Sequence, residues 1–139
     1  MAATTSTPIK RALVRKLRDS SPVMTAIVGG IHEKVAPRRT RYPFIVYGRV
    51  AAPYDYVWGS VDFTAMFDVF VWAENQVDAS NIDQLVADAL NDATLSVSGQ
   101  TLLACRRVAD LDGDTEMDAR GRRIYSVGGT YVIQTTQSN

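Results

Sequence analysis

The sequence of 139 residues holds one cysteine, one histidine and no excess of charge, with fifteen Lys and Arg against fifteen Asp and Glu. Each shortage excludes something. With one His and one Cys no zinc pattern can be drawn, so no metal is expected. The lone thiol, Cys105, ends the apolar run Leu102-Leu103-Ala104-Cys105, with no His or second Cys nearby. It reads as a small buried hydrophobe in a reducing compartment, not as a nucleophile. No apolar run reaches the roughly eighteen residues that a membrane helix needs. The start, Met1 to Thr7, lacks the basic residues and apolar core of a signal peptide. Gly29-Gly30 and Gly128-Gly129 lack the spacing and the Lys-Ser/Thr ending of a phosphate loop. His32 is followed by Glu33, an apparent acid–base pair, but neighbours on a strand point to opposite faces and cannot meet. No catalytic residue and no cofactor are expected.

What is present is globular. Apolar residues make up 46% and charged ones 22%, enough for a core and too few charges for disorder. Residues 1–139 read as one domain with a flexible stretch at 1–7. The zero net charge conceals a split. Residues 1–41 carry nine basic residues against Asp19 and Glu33, a net of +7, and residues 42–139 carry a net of −7. Opposite poles let a chain attract copies of itself or dock an acidic partner, whereas a nucleic-acid binder usually has surplus positive charge.

Thr7 or Ser6, with Pro8 behind it, opens a helix whose apolar stripe is Ile9, Ala12, Leu13 and Leu17. Ser21 and Pro22 open a second, short helix running through Met24, Ile27 and Val28 to the Gly pair. Gly29-Gly30 suits a tight turn, a brief extended piece reaches Ala36-Pro37, and Pro43 introduces a strand from Phe44 to Val50. Ala51 to Ser60 reads as a loop. Val61 to Glu74 is the longest expected strand. Phe63, Ala65, Phe67, Val69, Val71 and Ala73 form its core face. The other face mixes acids with Met66, Phe70 and Trp72, more apolar bulk than water usually meets. The N-terminal helix is one alternative cover for part of it.

Asn75 to Asp78 caps the best helix, with Ile82, Leu85, Val86, Ala89, Leu90 and Ala93 inside and Asp78, Asp83, Asp88 and Asp92 on the wet side. Thr101 to Leu111 is a strand, Asp112 to Gly121 a polar loop, and Arg122 to Thr136 the last strand with a bulge at Gly128-Gly129. The alternating acids from Asp110 to Asp118 suggest a calcium loop. Placing Gly113 at the sixth position puts Val108 first and Ala119 last, so the ligand pattern fails. A hairpin turn at Asp112-Gly113 is the plainer reading. The order of elements gives an α+β domain whose mostly antiparallel sheet is covered by helices.

The run Val28-Gly29-Gly30-Ile31-His32, then Val35-Ala36-Pro37, then Tyr42-Pro43-Phe44-Ile45-Val46 resembles the tail-completion, or tail terminator, proteins of long-tailed bacteriophages. Phe67 to Ala73, the Leu95 to Leu103 connection and the Ala109 to Gly113 stretch extend the likeness over residues 9–135. The basic loop Arg38 to Arg41 and the aromatic loop Tyr54 to Trp58 depart from the family pattern. The resemblance implies a structural virion protein and no enzyme. It would form a ring, usually hexameric, on the tail tube, stop tube growth and join the tail to the head-side connector. Its partners would be its own copies, the tube protein and the connector, with DNA only passing through the lumen. Assembly would place it at the head–tail junction after a period in the host cytoplasm. Arg38, Arg39, Arg41, Tyr54, Tyr56, Trp58, Met66, Phe70 and Trp72 are the candidate contact residues. Two other readings stay open. One is a connector or stopper component; the other is a small nucleic-acid-binding module, in which Arg38, Arg39 and Arg41 beside Tyr42 would clamp phosphate and stack a base.

Overall fold

The computed structural model describes residues 6–51, 54–57 and 60–138. Helix α1 (Ser6–Asp19) carries Pro8 in its first turn, where the missing N–H has no intrahelical partner to lose. It begins within the stretch expected to be flexible; residues 1–5 lie outside the described ones. Ile9, Ala12, Leu13 and Leu17 are buried, as their spacing requires. Helix α2 (Ser21–Ala26) is capped by Ser20, whose Oγ accepts from the Val23 N–H at 3.5 Å, so the cap is one residue earlier than expected. It stops short of Val28, and both Met24 and Val28 stay exposed. The chain then folds back at the Gly pair. Gly30 has φ +82°, and a Cβ on Gly29 would lie 1.9 Å from the Arg41 carbonyl oxygen. That close approach lets the Gly29 N–H donate to Pro43 O and the Ile45 N–H donate to Gly30 O, each at 2.9 Å.

The strands are β1 (Ile31–Glu33), β2 (Phe44–Ala51), β3 (Tyr54–Val57), β4 (Ser60–Ala73), β5 (Thr101–Met117) and β6 (Arg123–Ser138). Helix α3 (Gln76–Leu90) lies between β4 and β5 in sequence, and Asn75 Oδ1 caps it by accepting from the Asp78 N–H at 2.8 Å. The sheet runs β1-β2-β4-β6-β5, with β3 paired to β4. Among the described residues only β1–β2 is parallel. This is the α+β architecture read from the sequence.

Alternation on β4 places Phe63, Ala65, Phe67, Val69, Val71 and Ala73 on one face, all buried. Tyr131 and Ile133 of β6 share that face, and Ile9, Leu13 and Leu17 of α1 with Ile82, Val86 and Leu90 of α3 close over it in one core. The N-terminal helix therefore covers the core face and leaves the other one alone.

Three local expectations need correction. The supposed loop from Ala51 to Ser60 contains β3, which pairs with the start of β4. Strand β5 continues to Met117, so Asp112-Gly113 is not a hairpin turn. Register shifts between Arg107 and Ala109 and between Asp112 and Thr115 absorb its polar residues as bulges. The turn lies at 118–122, where the Asp118 carboxylate accepts the N–H groups of Arg120 and Arg122 at 2.9 Å each. Those bonds hold the Asp118 carboxyl below its ordinary value. Finally, Gly128-Gly129 is not a bulge, because β4 and β6 pair there in unbroken register. Glycine is needed at 129 for another reason: a Cβ there would lie 2.4 Å from the Arg107 guanidinium carbon.

Candidate assembly surface

The second face of the sheet carries no helix among the described residues. Met66, Phe70 and Trp72 of β4 point there and are half-buried. Pairing register places Phe44 opposite Trp72, Val46 opposite Phe70 and Val132 opposite Met66. The result is an apolar strip across β2, β4 and β6. One polar pair interrupts it, Thr130 Oγ1 donating to Asp68 Oδ1 at 2.7 Å. Such a strip is more apolar than strands facing water ordinarily are, and it fits the centre of an interface.

An aromatic group closes one end of the strip. The Tyr42 and Phe44 rings lie 5.3 Å apart, and His32 meets Phe44 edge-on at 6.1 Å. His32 Nε2 is 2.7 Å from Gly29 O, while Glu33 turns to the opposite side and pairs with Lys10 at 2.9 Å. The only histidine thus braces the Gly turn and does not meet its acidic neighbour. Burial raises the Tyr42 phenol, and the nearby Asp118 carboxylate adds to the shift.

The sequence-derived candidates fall into three groups. Met66, Phe70 and Trp72 come together on the open face. Arg38, Arg39 and Arg41 are exposed in the loop between β1 and β2. That loop is shaped by Thr40 Oγ1 donating to Pro37 O at 2.5 Å and by Arg39 at φ 67°. Tyr54 and Tyr56 belong to β3. Trp58 lies outside the described residues. Among the described residues, no group of three or more His, Cys, Asp or Glu side chains is placed to hold a metal ion.

Sequence reasoning missed the most elaborate polar cluster. Asp83, expected on the wet side of α3, is buried against Arg107 of β5. Arg107 Nη1 donates to Asp83 Oδ1 at 3.0 Å and to the Tyr131 hydroxyl at 2.8 Å. Its Nη2 donates to Asp83 Oδ2 at 2.8 Å and to Gly128 O at 2.9 Å, and its Nε to Asp110 Oδ1 at 2.8 Å. All five guanidinium N–H groups are therefore used. Burial opposes the charge on Arg107, but the bonds to Asp83, Tyr131 and Asp110 outweigh it, and its pKa is raised. The one available sequence signal is Gly129, whose missing side chain makes room for the guanidinium. The cluster locks α3 to β5 and β6 beneath the open face, and offers no reacting geometry.

Two buried groups set the behaviour in alkali. Burial pushes the Tyr131 phenol up to about 12, against a smaller opposing effect of Arg107, and pushes the Cys105 thiol up to about 11. A raised folded-state value means that the neutral form is favoured in the fold. The stabilisation is complete below the ordinary values near 9 and 10 and is lost as pH rises through 11 to 12. Each group is expected to cost about 2–3 kcal/mol over that window. Urea unfolding at pH 8, 10 and 11.5 checks this; equal midpoints at all three would contradict it.

Comparison with known proteins agrees with this architecture. The family model described as tail completion protein gp17 matches residues 11–125. A chain in a solved structure titled "Virion of native gene transfer agent (GTA) particle" is 13% identical with a TM-score of 0.77, covering 96% of this chain and 98% of that one. A second solved structure is 11% identical with a TM-score of 0.56, covering 94% of this chain and 96% of that one. At those identities the likeness is one of fold. No curated protein matches the sequence.

Proposed function

This chain belongs to the tail completion protein gp17 family, structural proteins of bacteriophage tails, and on that premise we propose that it is a tail terminator. In this reading identical copies close into a ring, most simply a hexamer, on the finished tail tube. The ring stops addition of tube subunits and presents its far side to the head connector. The apolar strip of Met66, Phe70 and Trp72, left without a helix, carries the proposal. A head-to-tail contact repeated by rotation closes into a ring and leaves two different outer surfaces for two different partners. The virion origin of the similar solved fold supports a place within a particle.

Arg38, Arg39 and Arg41 are proposed to dock the ring on its partners. All three are exposed, so replacing them together with Glu should change folding stability by only about 0.5 kcal/mol. Joining of tails to heads should fall sharply in the same variant. Thermal melting and an in vitro joining assay check the two halves; undiminished joining would remove the loop from the mechanism.

Adding purified protein to elongating tail tubes tests the function. A terminator halts elongation at substoichiometric amounts relative to tube subunits. A connector or stopper component leaves elongation unchanged and binds the head-side complex instead.

A further inference from the structure

Four of the nine basic residues in positions 1–41 line one concave surface. Between α1 and β2 lies a groove of about 420 Å³ lined by Lys10, Arg11, Val14, Arg15, Arg18 and Tyr47, with Asp19 as its one acid. Lys10 is already paired with Glu33. Arg11, Arg15 and Arg18 make no hydrogen bond or salt bridge to any described residue. Three guanidinium groups converge on a groove that holds one carboxylate, Asp19, and none of the three is ion-paired to a described residue.

The matching charge lies along α3 and β5. At the end of α3 the Asp92 N–H donates to Cys105 O of β5 at 2.8 Å, so the end of the helix sits on that edge strand. Along this flank Asp88, Asp92, Asp110 and Asp112 are exposed. Asp110 answers Arg107, and Asp88 accepts only a Gln84 amide at 2.9 Å. Asp112 forms no salt bridge to a described residue. Lys16 and Arg106 are the basic residues nearby, too few to neutralise the flank. From β2 to β5 is three strand spacings, roughly 14 Å. The two surfaces meet at α1: Asp19 lines the groove and also a second hollow that Lys16 and Ser20 share with Asp88 and Asp92, so groove and flank lie on either side of that helix.

We infer that the α1–β2 groove of one copy receives the acidic α3–β5 flank of the next copy. This rests on the ring reading above and adds a charged contact to the apolar one that Met66, Phe70 and Trp72 supply. Two unlike patches make the contact heterologous, as a closed ring requires. Exposed charges act only over about 10 Å at 0.1 M salt, so the pairing works at contact and fixes register as well as encounter rate.

The test is a charge swap read by sedimentation of the purified chain, alone and bound to tail tubes. Arg11→Glu with Arg15→Glu should weaken self-association more than tenfold with circular dichroism unchanged. Asp88→Lys with Asp112→Lys should do the same. Asp92 is left alone because its φ of 56° suits Asp far better than Lys. Joining all four changes in one chain should restore association, which a misfolded variant cannot do. Association unaffected by either reversal, or a folded four-residue variant that stays monomeric, overturns the pairing while leaving the ring intact. A native chain that never self-associates, on tubes or off them, sinks the ring reading itself.

Discussion

Arg107→Ala should lower the unfolding free energy by about 3–5 kcal/mol, the ordinary loss when one partner of a buried ion pair is removed. The reason is what the substitution leaves behind. Asp83 has a side-chain exposure of 11%, and without Arg107 its carboxylate loses both bonds of a bidentate pair. The Tyr131 hydroxyl and Gly128 carbonyl lose their shared donor as well. The guanidinium also lies 5.5 Å from the centre of the Tyr131 ring, a contact that lysine would not reproduce in planar form. Arg107→Lys is therefore expected to recover less than half of the loss. Replacing both partners with apolar residues, Arg107→Met with Asp83→Leu, should recover most of it, because no unpaired charge remains. Melting curves should show the single variant roughly 10–20 °C below the native protein. A shift below 3 °C would mean that the cluster is not a lock.

Trp72→Glu should do the reverse, sparing the fold and removing assembly. Trp72 lies on the face without a helix, between Phe44 on β2 and Ser126 on β6, and the core lies on the other side of the strand. A central tryptophan in a protein interface contributes about 2–4 kcal/mol, so each subunit contact should weaken roughly thirty- to several-hundred-fold. Far-ultraviolet circular dichroism should be unchanged while the sedimenting mass falls to that of a monomer. Phe67→Glu, on the opposite face of the same strand, should unfold the protein instead, since Phe67 is fully buried. If Trp72→Glu unfolds the chain too, the open face belongs to the core.

The two substitutions also mark how far the sequence was legible. Strand β4 was readable because alternation over fourteen residues is a strong signal, and every odd position from Phe63 to Ala73 is buried as that alternation demands. The same pattern exposed the apolar excess at Met66, Phe70 and Trp72. The helices were readable from spacing and caps, with errors of one to three residues at Ser20, Val28 and Ala93. Long-range polar pairing was not readable. Asp83 looks like any acid on a helix exterior until β5 brings Arg107 beside it, 24 residues later. The hairpin was misplaced because Asp112-Gly113 is a strong local turn signal. Tertiary pairing with β6 outweighs it, and the turn forms at Asp118, whose carboxylate can cap two N–H groups. The glycine pair at 128–129 looked like a bulge, but a Cβ at 128 would collide with the Val69 carbonyl oxygen of β4 and one at 129 with the Arg107 guanidinium, neighbours that are distant in sequence and could not be seen locally.

The closed circle of copies is tested most directly by electron micrographs of tail tubes mixed with the purified chain. A discrete ring should sit at one end of each tube, with subunits of 15.3 kDa repeated around the axis in end-on views. Bare tube ends at saturating protein would contradict the proposal, as would protein scattered along the tube walls.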